Sequence, residues 1–257
     1  MINLFRHWLA LSLSLVIATA CFSVVRAGEL TLALANSTCD AMNKVETLYQ
    51  ASHPVRFTYI CKSSGLLAKG LRGGALKADI FISADREWMD FAVDNGLVAP
   101  DQTSSPWGNA LVVATAKNSP IQRLGWQDLA SDKVTAILIG DPSTAPFGRH
   151  AKEALEASGL WDRVKHKIQT RKHVQLVAAT LATSGPGTVG ILFKSNMTDQ
   201  LRLLHAVDKG LHKPIRYYMA PLKTSAGNAE ATAFLAFLQS RAVRDIFQAE
   251  GFDVRAP

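Results

Sequence analysis

Cysteine is scarce in this 257-residue sequence: there are three, with no Cys-x-x-Cys pair and no cluster with histidine. No metal site is therefore expected. The seven histidines are scattered without ligand spacing. A Gly-x-Ser-x-Gly elbow and a His-Glu-x-x-His pair are both missing, so the sequence nominates neither a strained serine nucleophile nor a zinc hydrolase site, and no enzyme is expected. Charged residues make up only 19%, and no Lys/Arg run is interleaved with aromatics. The net charge of +7 thus reads as a solvated basic surface that favours anions weakly, not as a nucleic-acid interface. Gly185-Pro186-Gly187-Thr188-Val189-Gly190 has the letters of a dinucleotide fingerprint, but it contains a proline and precedes a strand pattern where that motif must follow one. It reads as a turn, and no cofactor is expected.

What is present is enough apolar residue, 48%, to bury a substantial core in one or two domains. Only the N-terminus carries a long apolar run, Trp8 to Ala20, preceded by Arg6 and His7 and too short for a membrane span. Residues 1–27 read as a signal peptide cleaved after Ala27, leaving a mature chain of 230 residues. Arg6 and Arg26 fall within it, so the remaining 26 basic residues exceed the 21 acidic ones by five. The rival reading, lipid anchoring at Cys21, rests on Ala18-Thr19-Ala20-Cys21, which lacks the leucine usual in a lipoprotein box. Cys39 and Cys61 remain in the mature chain as either a disulfide or two separate buried thiols.

Short β-branched or apolar runs alternate with helical patterns. Strands are expected at Leu30–Ala35, Val55–Ile60 and Ala78–Ser83, with helices at about Asp40–Ser52, from Ser64 to the Gly73-Gly74 pair, and at about Arg86–Asn95. Asp40 is placed to cap the first of these helices. Strand alternating with helix is the grammar of a parallel sheet flanked by helices. Ser104 to Gly108 reads as a crossing into a second α/β set, with strands at Ala110–Thr115, Thr135–Gly140 and Thr188–Phe193 and helices at about Gly148–Ser158 and Val174–Thr183. A strand over Ile215–Leu222 would return the chain to the first set, and two helical patterns close it.

Two strand-to-helix junctions carry serines: Asn36-Ser37-Thr38 and Lys62-Ser63-Ser64-Gly65. Free amides and the dipole of a helix N-terminus suit an anion, and open α/β sheets bind ligands at the C-terminal ends of their strands. Ordinary N-capping is the competing role for each serine. Gly140 to Gly148 offers a third junction, marked by Pro142 and Pro146, with amides near Phe147 and Gly148.

The run Ala78-Asp79-Ile80-Phe81-Ile82-Ser83-Ala84-Asp85, continued by Trp88-Met89-Asp90 and Ala92-Val93-Asp94, is the most specific stretch. Ala35 to Met42, Ser63-Ser64 with Leu67-Ala68, Gly108 to Val113, Gly140-Asp141-Pro142, Ala151 to Leu155 and Gly190-Ile191 follow in the same order. Over essentially the whole mature chain, these segments resemble the periplasmic molybdate-binding proteins of ABC importers. The resemblance implies a type II periplasmic binding fold, α/β in class. Lobe I would comprise 28–107 and 217–257 and lobe II 108–216, each a mainly parallel sheet flanked by helices. Two crossing segments would join them, with hinges near Pro106–Gly108 and Lys213–Arg216.

It further implies a periplasmic monomer that passes molybdate or tungstate to an ABC importer permease, holding the dehydrated oxyanion by neutral donors alone. Ser37 and Ser64 match the family's two serines, Phe147 and Val174 its two backbone-amide positions, and Phe193 its tyrosine. Phe147 stands where the family has alanine, and Phe193 has no hydroxyl to give, a loss of about 1–3 kcal/mol if nothing replaces it. Lys62, Arg149, Lys172 and Lys194 flank these segments, where they would suit a carboxylate or phosphoryl group. The alternative ligand is accordingly another oxyanion, a small organic acid or a phosphorylated compound.

Overall fold

The structure, a computed structural model, describes residues 28–254. The expected signal peptide, Cys21 and the last three residues lie outside the described residues. Among the described residues, no helix is long and apolar enough to cross a membrane.

In the first sheet, β1 (Gly28–Ala35) lies parallel to β2 (Val55–Lys62) on one side and to β3 (Ile80–Ser83) on the other. They are connected by α1 (Cys39–Gln50) and α2 (Ser64–Arg72), and α3 (Arg86–Asp94) follows β3. β1 is apolar almost throughout because both its faces are covered. Leu30, Leu32 and Leu34 join Met42, Val45 and Tyr49 of α1 in one core, while Ala33 belongs to a second with Leu67, Leu71, Trp88 and Met89. Asp40, expected to cap α1, lies inside its first turn after Thr38, and its carboxylate accepts from Gln175 Nε2 at 2.9 Å.

Ser104–Gly108, expected to be the crossing, forms a strand of this first sheet, β4. The passage to the second sheet is only Asn109-Ala110, after which β5 (Leu111–Ala116) begins. There β6 (Ala136–Gly140) lies parallel to β7 (Ile168–Arg171) and β8 (Thr188–Phe193), and β5 pairs with β8 and β9 (Leu201–Ala206). Its helices are α4 (Pro146–Ala157), α5 (Trp161–Val164) and α6 (Val174–Ala182). Residues 207–215 carry the chain back to β10 (Arg216–Pro221), and α7 (Ala229–Phe237), α8 (Arg241–Ala249) and β11 (Asp253–Val254) complete the first sheet.

The strand orders are β11-β4-β10-β3-β1-β2 and β7-β6-β8-β5-β9. Both sheets are mixed, where mainly parallel ones were expected: β10 runs antiparallel to β3 and β4, and β5 antiparallel to β8 and β9. The crossings explain the direction. β10 and β5 each enter their sheet at the end where the neighbouring βαβ strand stops, so each must run the other way.

Candidate functional site

The loops that leave β1, β2 and β3 stand side by side. After Ala35 the chain makes a short 3-10 turn, Asn36–Thr38, in which all three residues are buried. Ser37 Oγ lies 2.8 Å from the hydroxyl of Tyr217. After Lys62, Ser63 takes the extended backbone of an N-cap for α2, but its side chain makes no capping bond, and its buried Oγ has no partner among the described residues. Ser64 opens the helix, and its Oγ accepts the backbone N–H of Ala84, just after β3, at 3.0 Å. Having accepted that bond, the hydroxyl still has its own hydrogen to donate. The capping role open to these serines is thus not the one they fill.

The facing wall comes from the second sheet. β6 ends at Gly140, and α4 starts with Pro146 in its first turn, where proline costs no hydrogen bond. Gly148 is pressed against the strand end so closely that a Cβ there would fall 2.2 Å from the Gly140 oxygen. α6 is capped by His173, whose Nδ1 accepts from Leu176 N–H at 3.2 Å. Burial, then the charges of Lys172 and Lys62, holds the His173 pKa below its ordinary value, which keeps that nitrogen free to accept. Phe193 ends β8, its ring centroid 5.9 Å from that of Phe147.

All five residues singled out from the sequence, Ser37, Ser64, Phe147, Val174 and Phe193, line one cavity between the two sheets. Asn36, Ser63, His173, Ala35, Ala84, Ala145 and Pro146 complete it. It measures about 10 Å³, close to the space of a single water. Its lining includes no carboxylate and no lysine or arginine, so Lys62, Arg149, Lys172 and Lys194 stand outside it. The amides of Ser64, Phe147 and Val174 lie in helix first turns, which supply no acceptor. Their neighbours are paired: Gly65 N–H with Thr144 O, Gly148 N–H with Ala145 O and Gln175 N–H with Asn36 Oδ1. For those three amides themselves, no acceptor appears among the described residues. Donors therefore dominate the cavity. A larger concavity of about 610 Å³ lies at the opposite end of the first sheet, where Asp79 is already engaged by Thr31 N–H and Ser225 Oγ.

The walls are clamped together. Gly65 N–H reaches Thr144 O at 3.0 Å, and a Cβ on Gly65 would sit 2.8 Å from that oxygen and 2.6 Å from the Trp88 ring. Arg149 of α4 donates to Asp85 at 2.9 Å and also to Glu87, with its guanidinium over the Trp88 ring. Burial raises the Asp85 pKa despite that partner. Cys39 and Cys61 are bonded as a disulfide, which resolves the alternative left open by the sequence.

Two mixed sheets with a donor-lined cavity between them define a two-lobed α/β binding protein. The chain belongs to the bacterial extracellular solute-binding proteins, whose family pattern matches residues 30–253. Within that class it is similar to the molybdate-binding protein ModA of Escherichia coli (strain K12), with 30% identity covering 97% of this chain and 99% of the relative. The putative ABC transporter substrate-binding lipoprotein YvgL of Bacillus subtilis (strain 168) is also 30% identical, over 87% of this chain and 85% of its own. Among solved structures, the Azotobacter vinelandii periplasmic molybdate-binding protein superposes with a TM-score of 0.79 at 18% identity, covering 88% of this chain and all of that one, and shows the shared fold.

Asn36, Ser63 and His173 are polar lining residues that the sequence does not single out as site residues, although Asn36 and Ser63 stand in the two serine motifs. Two adjacent serines at a helix start cannot be told apart until the start itself is fixed, and here Ser63 precedes it while Ser64 opens it.

Proposed function

We propose that this protein is the binding component of an ABC importer that captures molybdate, or its congener tungstate, between its lobes and delivers it to a permease without altering it chemically. The observation that carries the reading is the donor set: three serine hydroxyls and three first-turn amides on one small cavity, with no carboxylate to repel an anion. A fully ionised tetrahedral oxyanion has only acceptors to offer, and such a surface meets it with donors alone. The similarity to the molybdate-binding protein ModA supports molybdate as the ion.

In this reading lobe I comprises 28–107 with 217–257 and lobe II 108–216; which strands share a sheet supports the division to within one residue at each crossing, since Gly108 and Arg216 pair with each other in the first sheet. The protein is read as a monomer, as the family resemblance implies. A leader ending at Ala27 would export the protein; lipidation at Cys21, as in the lipoprotein relative, is the competing form. A cavity the size of one water must widen to admit an oxyanion, so the lobes part about the crossings at 109–110 and 207–215 and close again on the ligand.

Phe193 favours one competing ligand class, since a wall that gives no side-chain hydroxyl suits another small anion, whether an oxyanion, an organic acid or a phosphorylated compound. Calorimetry on ligand-free protein separates the two with molybdate, tungstate, sulfate, phosphate and small organic acids. Tight heats with molybdate and tungstate are expected. None with either, beside tight binding of another anion, overturns the molybdate reading.

A further inference from the structure

We infer that Asn109 and Tyr217, neither of which lines the cavity, act as positioning residues that turn the hydroxyl hydrogen of Ser37 toward the bound anion. The inference rests on the molybdate reading above and extends it to side chains at the junction of the two lobes.

Hydrogen-bond polarity can be followed from one end to the other. Asn109 Oδ1 lies 2.9 Å from the N–H of Ala110 and 3.4 Å from the N–H of Ser195, both of which can only donate. That fixes the orientation of the side-chain amide, leaving Nδ2 facing Ser195 Oγ at 2.8 Å and the Tyr217 hydroxyl at 3.0 Å. Nδ2 has no lone pair to share, so the tyrosine oxygen accepts from it. Tyr217 has one hydrogen and two further hydroxyl neighbours: Ser195 Oγ, which already accepts from Asn109 Nδ2 at 2.8 Å, and Ser37 Oγ, which lies within bonding distance at 2.8 Å. The phenol therefore donates to Ser37. Ser37 Oγ accepts, and its own hydrogen is left for whatever occupies the cavity it lines.

Tyr217 is fully buried, and burial raises its pKa, so the phenol keeps the hydrogen this chain requires. The four members come from both sides of the molecule. Ser37 follows β1 and Tyr217 lies in β10 of the first sheet; Asn109 occupies the short crossing, and Ser195 follows β8 of the second. A hydroxyl is a free rotor unless a neighbour fixes it, and successive donors polarise one another. Ser37 thus meets the anion already oriented.

The test is molybdate calorimetry on wild type, Tyr217→Phe, Ser37→Ala and the double variant, with ligand-free melting of each. Tyr217→Phe should weaken binding roughly three- to tenfold. In the Ser37→Ala background the same change should cost less than about twofold, because its target is gone. Equal losses in both backgrounds, or no loss with Ser37 intact, overturn the relay and leave a packing role for Tyr217. If Tyr217→Phe is unfolded at the assay temperature, Asn109→Ala replaces it, expected to cost about two- to threefold with Ser37 present and nothing without it. A wild type that gives no heat with molybdate refutes the functional reading itself, which keeps the two failures apart.

Discussion

The two walls of the cleft are built by the same device, a helix starting just past a strand end, yet they differ in what they show the cavity. The first-sheet wall presents four polar side chains, Asn36, Ser37, Ser63 and Ser64. The second presents Ala145, Pro146, Phe147, Val174 and Phe193, with His173 the only polar side chain among them. On the first wall, hydroxyls can follow the shape of an ion. On the second, backbone amides do the donating while two rings keep water out. In the proposed function, side-chain hydroxyl donors fall to one lobe and the apolar rings to the other, while both lobes contribute backbone amides.

The largest effect is expected where the walls meet. Gly65→Ala would thrust a methyl against Trp88 and the Thr144 oxygen, and the resulting strain should weaken molybdate binding by about 1–3 kcal/mol. Small-angle scattering should then show a saturated protein less compact than wild type; undiminished affinity would mean that the walls need not approach so closely. Ser63→Ala tests the polar wall alone. Because it removes a buried hydroxyl with no partner among the described residues, affinity should drop by about 1–2 kcal/mol while ligand-free melting stays level or rises. A fall in melting with affinity spared would make the hydroxyl structural.

Phe193→Tyr tests the apolar wall by giving it a donor. Tighter molybdate binding by about 0.5–1.5 kcal/mol is expected by calorimetry, and no gain would mean that this wall works by exclusion only. The smallest effect concerns His173. Its folded pKa lies below the ordinary value, so as pH falls through about 6.5 the unfolded chain takes up the proton first. Stability should be lost from there down to the folded pKa and level off below it. Asparagine caps a helix without titrating, so His173→Asn should flatten the part of this slope that His173 supplies, measured as unfolding midpoints between about pH 8 and about pH 5.

The strands buried on both faces were legible because apolar runs such as Leu30–Ala35 and Thr188–Phe193 leave little else for those residues to be. β7 and β9 escaped notice for the converse reason. They are edge strands, with Gln169 and Thr170 exposed and even Leu203 of β9 54% exposed, so their composition follows solvent more than core. β4 hid behind Ser104-Ser105-Pro106, a linker by composition, which becomes a strand because β10 and β11 supply partners from more than 100 residues away. Ser37, Ser64, Phe147, Val174 and Phe193 could be named because the family resemblance implies them, with Ser37 and Ser64 also standing at strand-to-helix junctions. Asn109 and Tyr217 could not, since they meet across 108 positions and Tyr217 meets Ser37 across 180, and no local pattern encodes such a meeting.

The Cys39–Cys61 bond joins the start of α1 to β2, two residues beyond Ser37 and two before Ser63. It spans a sequence separation of 22, a closure that removes roughly 3 kcal/mol of freedom from the unfolded chain. Its position matters more than its energy, for it makes the two serine loops a single splinted unit. Such bonds persist where thiols are oxidised and not in a reducing cytosol. For a chain exported as proposed, the polar wall is a part finished on delivery: the chain carries the serines from the ribosome, and the chemistry of its destination fastens them together.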